Sequence, residues 1–426
     1  VMAVGIRPGS DSWLLAICLS RVGAYMVYIV YAATLPVLQR DWHLSGTAAG
    51  SIASSFQVAY AVSLMGCSEL ADRVGARRVF LLGTLASAAA AAVFALFARD
   101  YWSGLVLYTI LALALGGTYT TGILLIAENV PVARRGRAMG FFLGGHSLGL
   151  ALALVLTGIA VPIGGYPLAF AAICAGPVVG GLMAWGAVRG TPNRVTARAG
   201  GERFTGAVLH NRPAMLVIAG YTAHSWELLG MWAWTPAFLA ACFIAAGADL
   251  TRATGLGSYM TSLFHMTGVL ASVAAGLLAD RLGRTPVIFA MASLSMFCSF
   301  AFGWLIGGPV WIVVAVGLVY GFAALGDSPI YSTAITEVVA PAYRGAALAL
   351  RSLAGYGAGA AAPLVFGAIL DLYGGLGAGR EAWGWAFASL GLAGAAAVLA
   401  AVALHRLPAA RALTTGRERP AVQGGG

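Results

Sequence analysis

The sequence predicts an all-α membrane protein with twelve transmembrane helices in two pseudo-symmetric six-helix bundles. Three observations carry that expectation. The 426 residues are 60% hydrophobic and only 9% charged, against about 25% charged residues in soluble domains, so a water-soluble globular fold is excluded. Apolar runs bounded by charges or turn residues fall into twelve segments, each matching the roughly 20 residues that cross a bilayer. A charged motif also recurs half a chain apart. Ala71-Asp72-Arg73-Val74-Gly75 returns as Ala279-Asp280-Arg281-Leu282-Gly283, 208 residues later, and Glu128 with Arg135-Gly136 returns as Glu337 with Arg344-Gly345, 209 residues later. Such a shift means two copies of one six-helix unit, an architecture known among transporters.

In chain order the expected helices cover residues 13–38, 46–69, 79–98, 102–127, 137–161, 166–188, 213–245, 254–279, 286–306, 309–336, 345–370 and 383–406. Continuous runs favour helices over the ten-residue alternation of a barrel. The 58 glycines suit the close helix approach that membrane packing uses. All 25 basic residues are arginine. With both termini in the cytoplasm, every arginine except Arg21, Arg40, Arg99, Arg252 and Arg380 falls in a cytoplasmic segment, which is the positive-inside pattern of an inner-membrane protein. The net charge of +10 therefore reports membrane sidedness and not nucleic acid. The expected organisation is a bundle over 1–188, a cytoplasmic linker over 189–212, a second bundle over 213–406 and a basic, disordered tail over 407–426. Residues 1–12 are too few for a separate signal peptide before the first span. Cys18, Cys67, Cys174, Cys242 and Cys298 lie in apolar stretches without metal-ligand spacing, so no metal or cofactor is expected.

At the repeated motif the sequence resembles the major facilitator superfamily, whose signature after helix 2 is Gly-x-Leu-Ala-Asp-Arg-x-Gly-Arg-Arg/Lys. The second copy, Gly276-Leu277-Leu278-Ala279-Asp280-Arg281-Leu282-Gly283-Arg284-Thr285, matches almost throughout, and the first departs at Ser68 and Ala76. A helix-4 arginine common in that family is Tyr108 here. The Gly-Pro pattern of drug/proton antiporters is absent from Gly144-Gly145-His146-Ser147-Leu148-Gly149. The stretches His224–Met231 and Gly326-Asp327-Ser328 look like those of cyanate- and nitrate-permease-like members. Physically, Gly75 and Gly283 supply a tight turn, and Asp72 and Asp280 lie where a neighbouring helix N-terminus accepts a carboxylate. With Arg73 and Arg281 these residues form a conformational latch. The resemblance implies that Asp72 faces helix 11 and Asp280 faces helix 5, with Arg351 and Arg137 as cationic partners. The alternative is that these arginines only obey the positive-inside rule.

Ionisable residues within spans are default functional candidates, because burial there is expensive. At 1.5 Å per residue, Arg21, Asp327 and His146 lie roughly 12–14 Å from the cytoplasmic surface, and Glu227 and His265 roughly 20 Å in. His224 precedes Glu227 by three residues and shares its helix face. Arg21 either faces a cavity or snorkels to the surface. His224, His265 and His146 are alternatively interhelical hydrogen-bonders, and Asp327 a static partner of Arg351 or Arg21. Tyr25 and Tyr28 follow Arg21 on one helix face. They join Tyr119, Trp226 (with Trp232 and Trp234 on the same helix) and Tyr356 as candidate cavity linings.

Nothing argues for an enzyme: the chain has no GxSxG elbow, no Walker lysine and no HExxH. The expected protein is a monomeric secondary transporter that moves a small inorganic or organic anion with protons. Arg21 is then the counter-charge, with Tyr25, Tyr28, Tyr119, His146, Trp226 and Tyr356 around the substrate. Glu227, Asp327, His224 and His265 are the candidates for proton coupling. The alternatives are proton-driven efflux of amphipathic drug-like compounds and, from another class, a non-transporting receptor on the same scaffold.

Overall fold

The computed structural model describes residues 6–195, 206–340, 343–375, 377 and 379–408. Part of the expected linker (196–205) and nearly all of the expected tail (409–426) lie outside these residues. Among the described residues the chain is helical, with no strand, as hydrocarbon requires of a segment that must satisfy its own backbone.

Ser10 caps the first helix, its hydroxyl accepting from the Trp13 amide. The first span is broken: α1 (Asp11–Tyr25) passes through a 3-10 turn, Met26–Tyr28, into α2 (Val30–Asp41). Next come α3 (Gly46–Val74) and α4 (Ala76–Phe97), followed by a second broken span of α5 (Tyr101–Gly116) and α6 (Tyr119–Asn129). The long helix α7 (Val132–Val188) and the one-turn α8 (Gly206–Leu209) precede α9 (Arg212–Ala245), α10 (Leu250–Leu282) and α11 (Arg284–Phe302). A third broken span, α12 (Val310–Gly326) and α13 (Ser328–Val338), leads to α14 (Arg344–Leu372) and α15 (Arg380–Arg406).

Eleven helices among the described residues are long and apolar enough to cross a membrane. The sequence expectation of two helices at 137–161 and 166–188 becomes the single 57-residue α7, which leaves helical geometry at Gly164 and Gly165. Pro162 and Pro167 flank that break, and neither can donate to a helix ladder. A straight helix of that length would run about 85 Å, nearly three times the roughly 30 Å of hydrocarbon. Large apolar side chains such as Leu96, Phe97, Trp102, Leu182, Trp311 and Leu399 point outward, as they do where lipid is the solvent. The chain is a multi-pass membrane protein.

The repeat read from the sequence is structural. The α5–α6 break at Thr118 and the α12–α13 break at Asp327 are 209 residues apart, and each of these residues immediately precedes the following helix segment. Gly75 and Gly283 end α3 and α10 at φ +94° and +96°, the left-handed side that glycine adopts without strain. At the end of the molecule away from these turns, Asp371 on α14 caps the start of α3. Its carboxylate accepts from the Gly46 amide (2.6 Å), the Thr47 amide (2.7 Å) and the Thr47 hydroxyl (2.6 Å). Two further bonds cross between the halves of the chain: the Ser258 hydroxyl donates to the Ala33 carbonyl and that of Ser262 to the Ala151 carbonyl, both at 3.2 Å.

The partner expected for Asp280 is corrected here. Asp280 pairs with Arg284 at 2.5 Å across the Gly283 turn, and Arg284 also reaches Glu337 at 3.1 Å. Arg137, the partner expected for Asp280, is exposed. Arg351 is buried: it lies seven residues into α14, about 10 Å along the axis, too deep for a partner at loop level. Arg73 pairs with Glu69 on its own helix.

Gly75→Ala and Gly283→Ala are each expected to cost about 1–3 kcal/mol, because a side chain at these dihedrals is strained. At Gly75 an added Cβ would also meet the Asn193 side chain. Thermal unfolding of the purified protein in detergent checks both, and an unchanged midpoint would contradict the strain argument.

Candidate functional site

The site grows from the face of α1 that carries Arg21. Arg21 is 5% exposed, so it does not snorkel. Its guanidinium carbon lies 4.2 Å from the ring centre of Tyr25, 4.5 Å from Phe142 and 4.9 Å from Tyr119. Ring faces attract a cation but accept no strong hydrogen bonds. Nε and Nη1 of Arg21 are buried and make no hydrogen bond to any described residue.

Beyond Arg21, rings from both halves of the chain meet. The Tyr25 and Tyr60 hydroxyls are 2.6 Å apart, and the Tyr28 hydroxyl donates to Gln57 at 2.7 Å. The His146 ring lies 4.8 Å from Tyr25, 5.4 Å from Tyr28 and 5.8 Å from Trp232. Trp232 in turn lies 5.5 Å from His265, and Tyr60 lies 6.0 Å from Tyr356. The break at Met26–Tyr28 keeps Tyr25 and Tyr28 stacked at 6.2 Å.

Trp226 stands apart from these ring contacts. It is half-buried and makes none of these ring contacts, whereas Trp232 does. Six residues at 3.6 per turn point the two about 120° apart around α9, so Trp226 is turned away when Trp232 faces α1 and α7. Trp234 packs inside the second half, stacked on Phe366 at 5.2 Å.

The two buried acids of the second half, Asp327 and Glu227, have separate hydrogen-bond partners. Asp327, at the α12–α13 break, pairs with His224 Nδ1 at 3.0 Å, and His224 Nε2 bonds the Ser328 hydroxyl at 2.7 Å. The alternative of Asp327 as a static partner of Arg351 or Arg21 is thus replaced by His224. Glu227 faces α11 instead. One carboxylate oxygen accepts from the Ser295 and Ser299 hydroxyls, each at 2.6 Å, and Ser299 lies 2.6 Å from the Tyr320 hydroxyl. Glu227 is 3% exposed, and every one of these contacts lies within the second half. The shared face expected for His224 and Glu227 is therefore divided between neighbours: α13 takes one side chain and α11 the other. A carboxyl with two hydroxyl donors can hold a charge away from water, or hold a proton in the same place.

Sequence reading missed Gln57, Tyr60, Phe142, Tyr221, Ser295, Ser299 and Tyr320. Two signals were available. Gln57 and Tyr60 are polar groups three apart in an apolar helix, and Ser295 and Ser299 are four apart, which places each pair on one face.

A helical membrane bundle in which rings from its two repeated halves meet beside a buried cation has the build of a membrane transporter. The family model of the Major Facilitator Superfamily matches residues 17–251 and 238–423. The chain belongs to the Major Facilitator Superfamily. It is 32% identical over 127 residues to a probable 4-methylmuconolactone transporter of Cupriavidus pinatubonensis, covering 30% of this chain and 29% of that protein. It is 24% identical over 299 residues to a gallate transporter of Pseudomonas putida, covering 63% and 65%. The chain thus spans under a third of the first relative and about two thirds of the second. Solved structures share the fold: a nucleoside transporter superposes with TM-score 0.76 at 15% identity, over 92% of this chain and 100% of the other. A D-xylose-proton symporter gives TM-score 0.73 at 17% identity, over 95% and 99%. These proteins are transporters and not enzymes.

Replacing both hydroxyls beside Glu227 (Ser295→Ala with Ser299→Ala) leaves a buried carboxylate without its donors. The expected stability loss at neutral pH is about 1–3 kcal/mol per lost bond, read as a lowered thermal midpoint. An unchanged midpoint would mean that the two hydroxyls do not hold the charge.

Proposed function

We propose that the protein is a secondary active transporter that works by alternating access and moves a small organic anion together with protons. Arg21 carries the reading: a guanidinium enclosed by rings, 5% exposed, with two nitrogen positions unpaired and no carboxylate within ion-pair distance among the described residues. Breaking a buried ion pair costs about 3–5 kcal/mol, so an anion that completes one at Arg21 recovers energy on that scale. The rings of Tyr25, Tyr28, Tyr119, His146, Trp232 and Tyr356 suit a flat apolar body, and the gallate and 4-methylmuconolactone relatives support an organic cargo.

In this reading two six-helix bundles, 1–188 and 213–406, are joined by the linker 189–212. The chain crosses the inner membrane twelve times, α7 accounting for two passages, as a monomer with both termini in the cytoplasm. The Gly75 and Gly283 turns, with Asp72, Arg73, Asp280 and Arg281, form the cytoplasmic latch, and Asp371 on the start of α3 closes the opposite end. A cargo shifts the balance between the two states only through its different affinity for each. Glu227 carries the proton, with the Asp327–His224 pair as the second titratable station and His265 beside Trp232. The acid and Arg21 lie in different parts of the bundle, so coupling between proton and anion is conformational and not a direct contact.

Arg21→Ala is expected to abolish anion binding, and Arg21→Lys to weaken it by at least about tenfold, because an ammonium cannot reproduce the guanidinium fork. Calorimetric titration of the purified protein with benzoate reads this, and retained affinity in a folded Arg21→Ala protein overturns the role.

Glu227→Gln keeps the shape and stays uncharged. It is expected to lose uphill accumulation in proteoliposomes under an imposed pH gradient while retaining counterflow, since exchange does not return an empty, deprotonated carrier. If the variant accumulates cargo like the parent, Asp327 becomes the carrier to test.

A further inference from the structure

Arg351 is the buried cation that these roles leave unused. It is 9% exposed, and its guanidinium carbon lies 4.1 Å from the ring centre of Tyr221 on α9. Nη1 donates to the Ser332 hydroxyl, and Nε is buried without a hydrogen bond to any described residue. No carboxylate pairs with it among the described residues. Asp327, the buried acid at the neighbouring helix break, is engaged by His224 at 3.0 Å. Arg351 therefore repeats in the second half what Arg21 does in the first: a guanidinium laid on a tyrosine, deep in the bundle, with donors left over.

Rings join the two cations into one cluster. Arg21 lies on Tyr25 at 4.2 Å and on Tyr119 at 4.9 Å, the Tyr25 hydroxyl meets that of Tyr60 at 2.6 Å, and the Tyr60 ring lies 6.0 Å from Tyr356, which is one turn and a half beyond Arg351 on α14. Two unpaired like charges buried in one bundle repel each other, and a single negative charge would leave one of them uncompensated. Two anionic groups would compensate both.

We infer that Arg351 is the second anion-binding residue of this transporter, and that its cargo is an organic dianion with a flat apolar body. One acidic group lies on Arg21 in the first half, the other on Arg351 in the second, and the body lies among Tyr25, Tyr119, Tyr221 and Tyr356. This rests on the anion-transport reading and sharpens it: a molecule that bridges the two halves draws them together, whereas a monoanion on Arg21 alone does not need the second half.

The test is calorimetric binding to the full chain in nanodiscs, with benzoate as the one-carboxylate probe and phthalate, isophthalate and terephthalate as two-carboxylate probes. The parent should bind its preferred dicarboxylate at least about tenfold more tightly than benzoate, the scale of one added charge-assisted bidentate contact. Arg351→Gln should remove that advantage and leave benzoate affinity within about threefold, a change below 1 kcal/mol. Arg351→Lys, which keeps the charge and supports folding should the glutamine variant fail, should restore part of it. Three results overturn the inference while the anion reading stands: a parent that binds benzoate and dicarboxylates alike, an Arg351→Gln protein with the parent's dicarboxylate affinity, or equal weakening of both probe types. Failure of every probe to bind the parent, or binding that survives Arg21→Ala, overturns the anion reading itself.

Discussion

A guanidinium held away from water with unused donors is the constraint around which this bundle is arranged. Arg21 cannot lose its proton in a protein, and its aromatic neighbours offset only part of the cost of burial. The surroundings therefore consist of groups that tolerate or attract a cation: Tyr25, Phe142 and Tyr119 against the guanidinium, with His146 beyond Tyr25. Ring faces from α3, α9 and α14 continue the same lining into the second half. In the proposed reading the remaining compensation comes from an anionic cargo, because no described carboxylate pairs with Arg21.

Broken helices supply the means. Hydrocarbon excludes irregular backbone unless it is buried in protein, and the three interruptions, at Met26–Tyr28, at Thr118 and at Asp327, lie where protein covers them. The first keeps Tyr28 beside Tyr25, the second starts the segment that carries Tyr119, and the third places Asp327 against His224. The repeated halves use one architectural device for opposite charges: an aromatic side chain near a cation in the first, an acid near a histidine in the second.

The acid network of Glu227 stands apart from this seam, bonded to Ser295 and Ser299 within the second half. A titrating group held inside one bundle can influence the other only through how the bundles pack. The bundles pack along whole helices, α14 on α3 and α10 on α7, and the polar contacts between them include the Asp371 cap on α3 and the hydroxyls of Ser258 and Ser262. In the proposed alternating-access reading, changes of charge within a bundle and changes of contact at its ends act on the same rigid-body motion.

Much was legible in the sequence because hydropathy, arginine bias and the 208-residue repeat are properties of composition and order. Bilayer thickness turns apolar length into helices, and the backbone dihedral at Gly75 and Gly283 follows from the need for a turn that only glycine makes cheaply. Arg21, Tyr25 and Tyr28 could be placed on one face because their spacing is that of a single helix. Which side chain on another helix meets them depends on rotation about each axis, and a linear sequence carries no such angle. For that reason Trp232 and not Trp226 joins the aromatic cluster, Glu227 turns toward α11 while His224 turns toward α13, and Arg351 lies on Tyr221 instead of reaching a loop. Length, arginine bias and repeat belong to the chain. Partnership belongs to the packing, because the direction in which a helix face points is fixed only when its neighbours are in place.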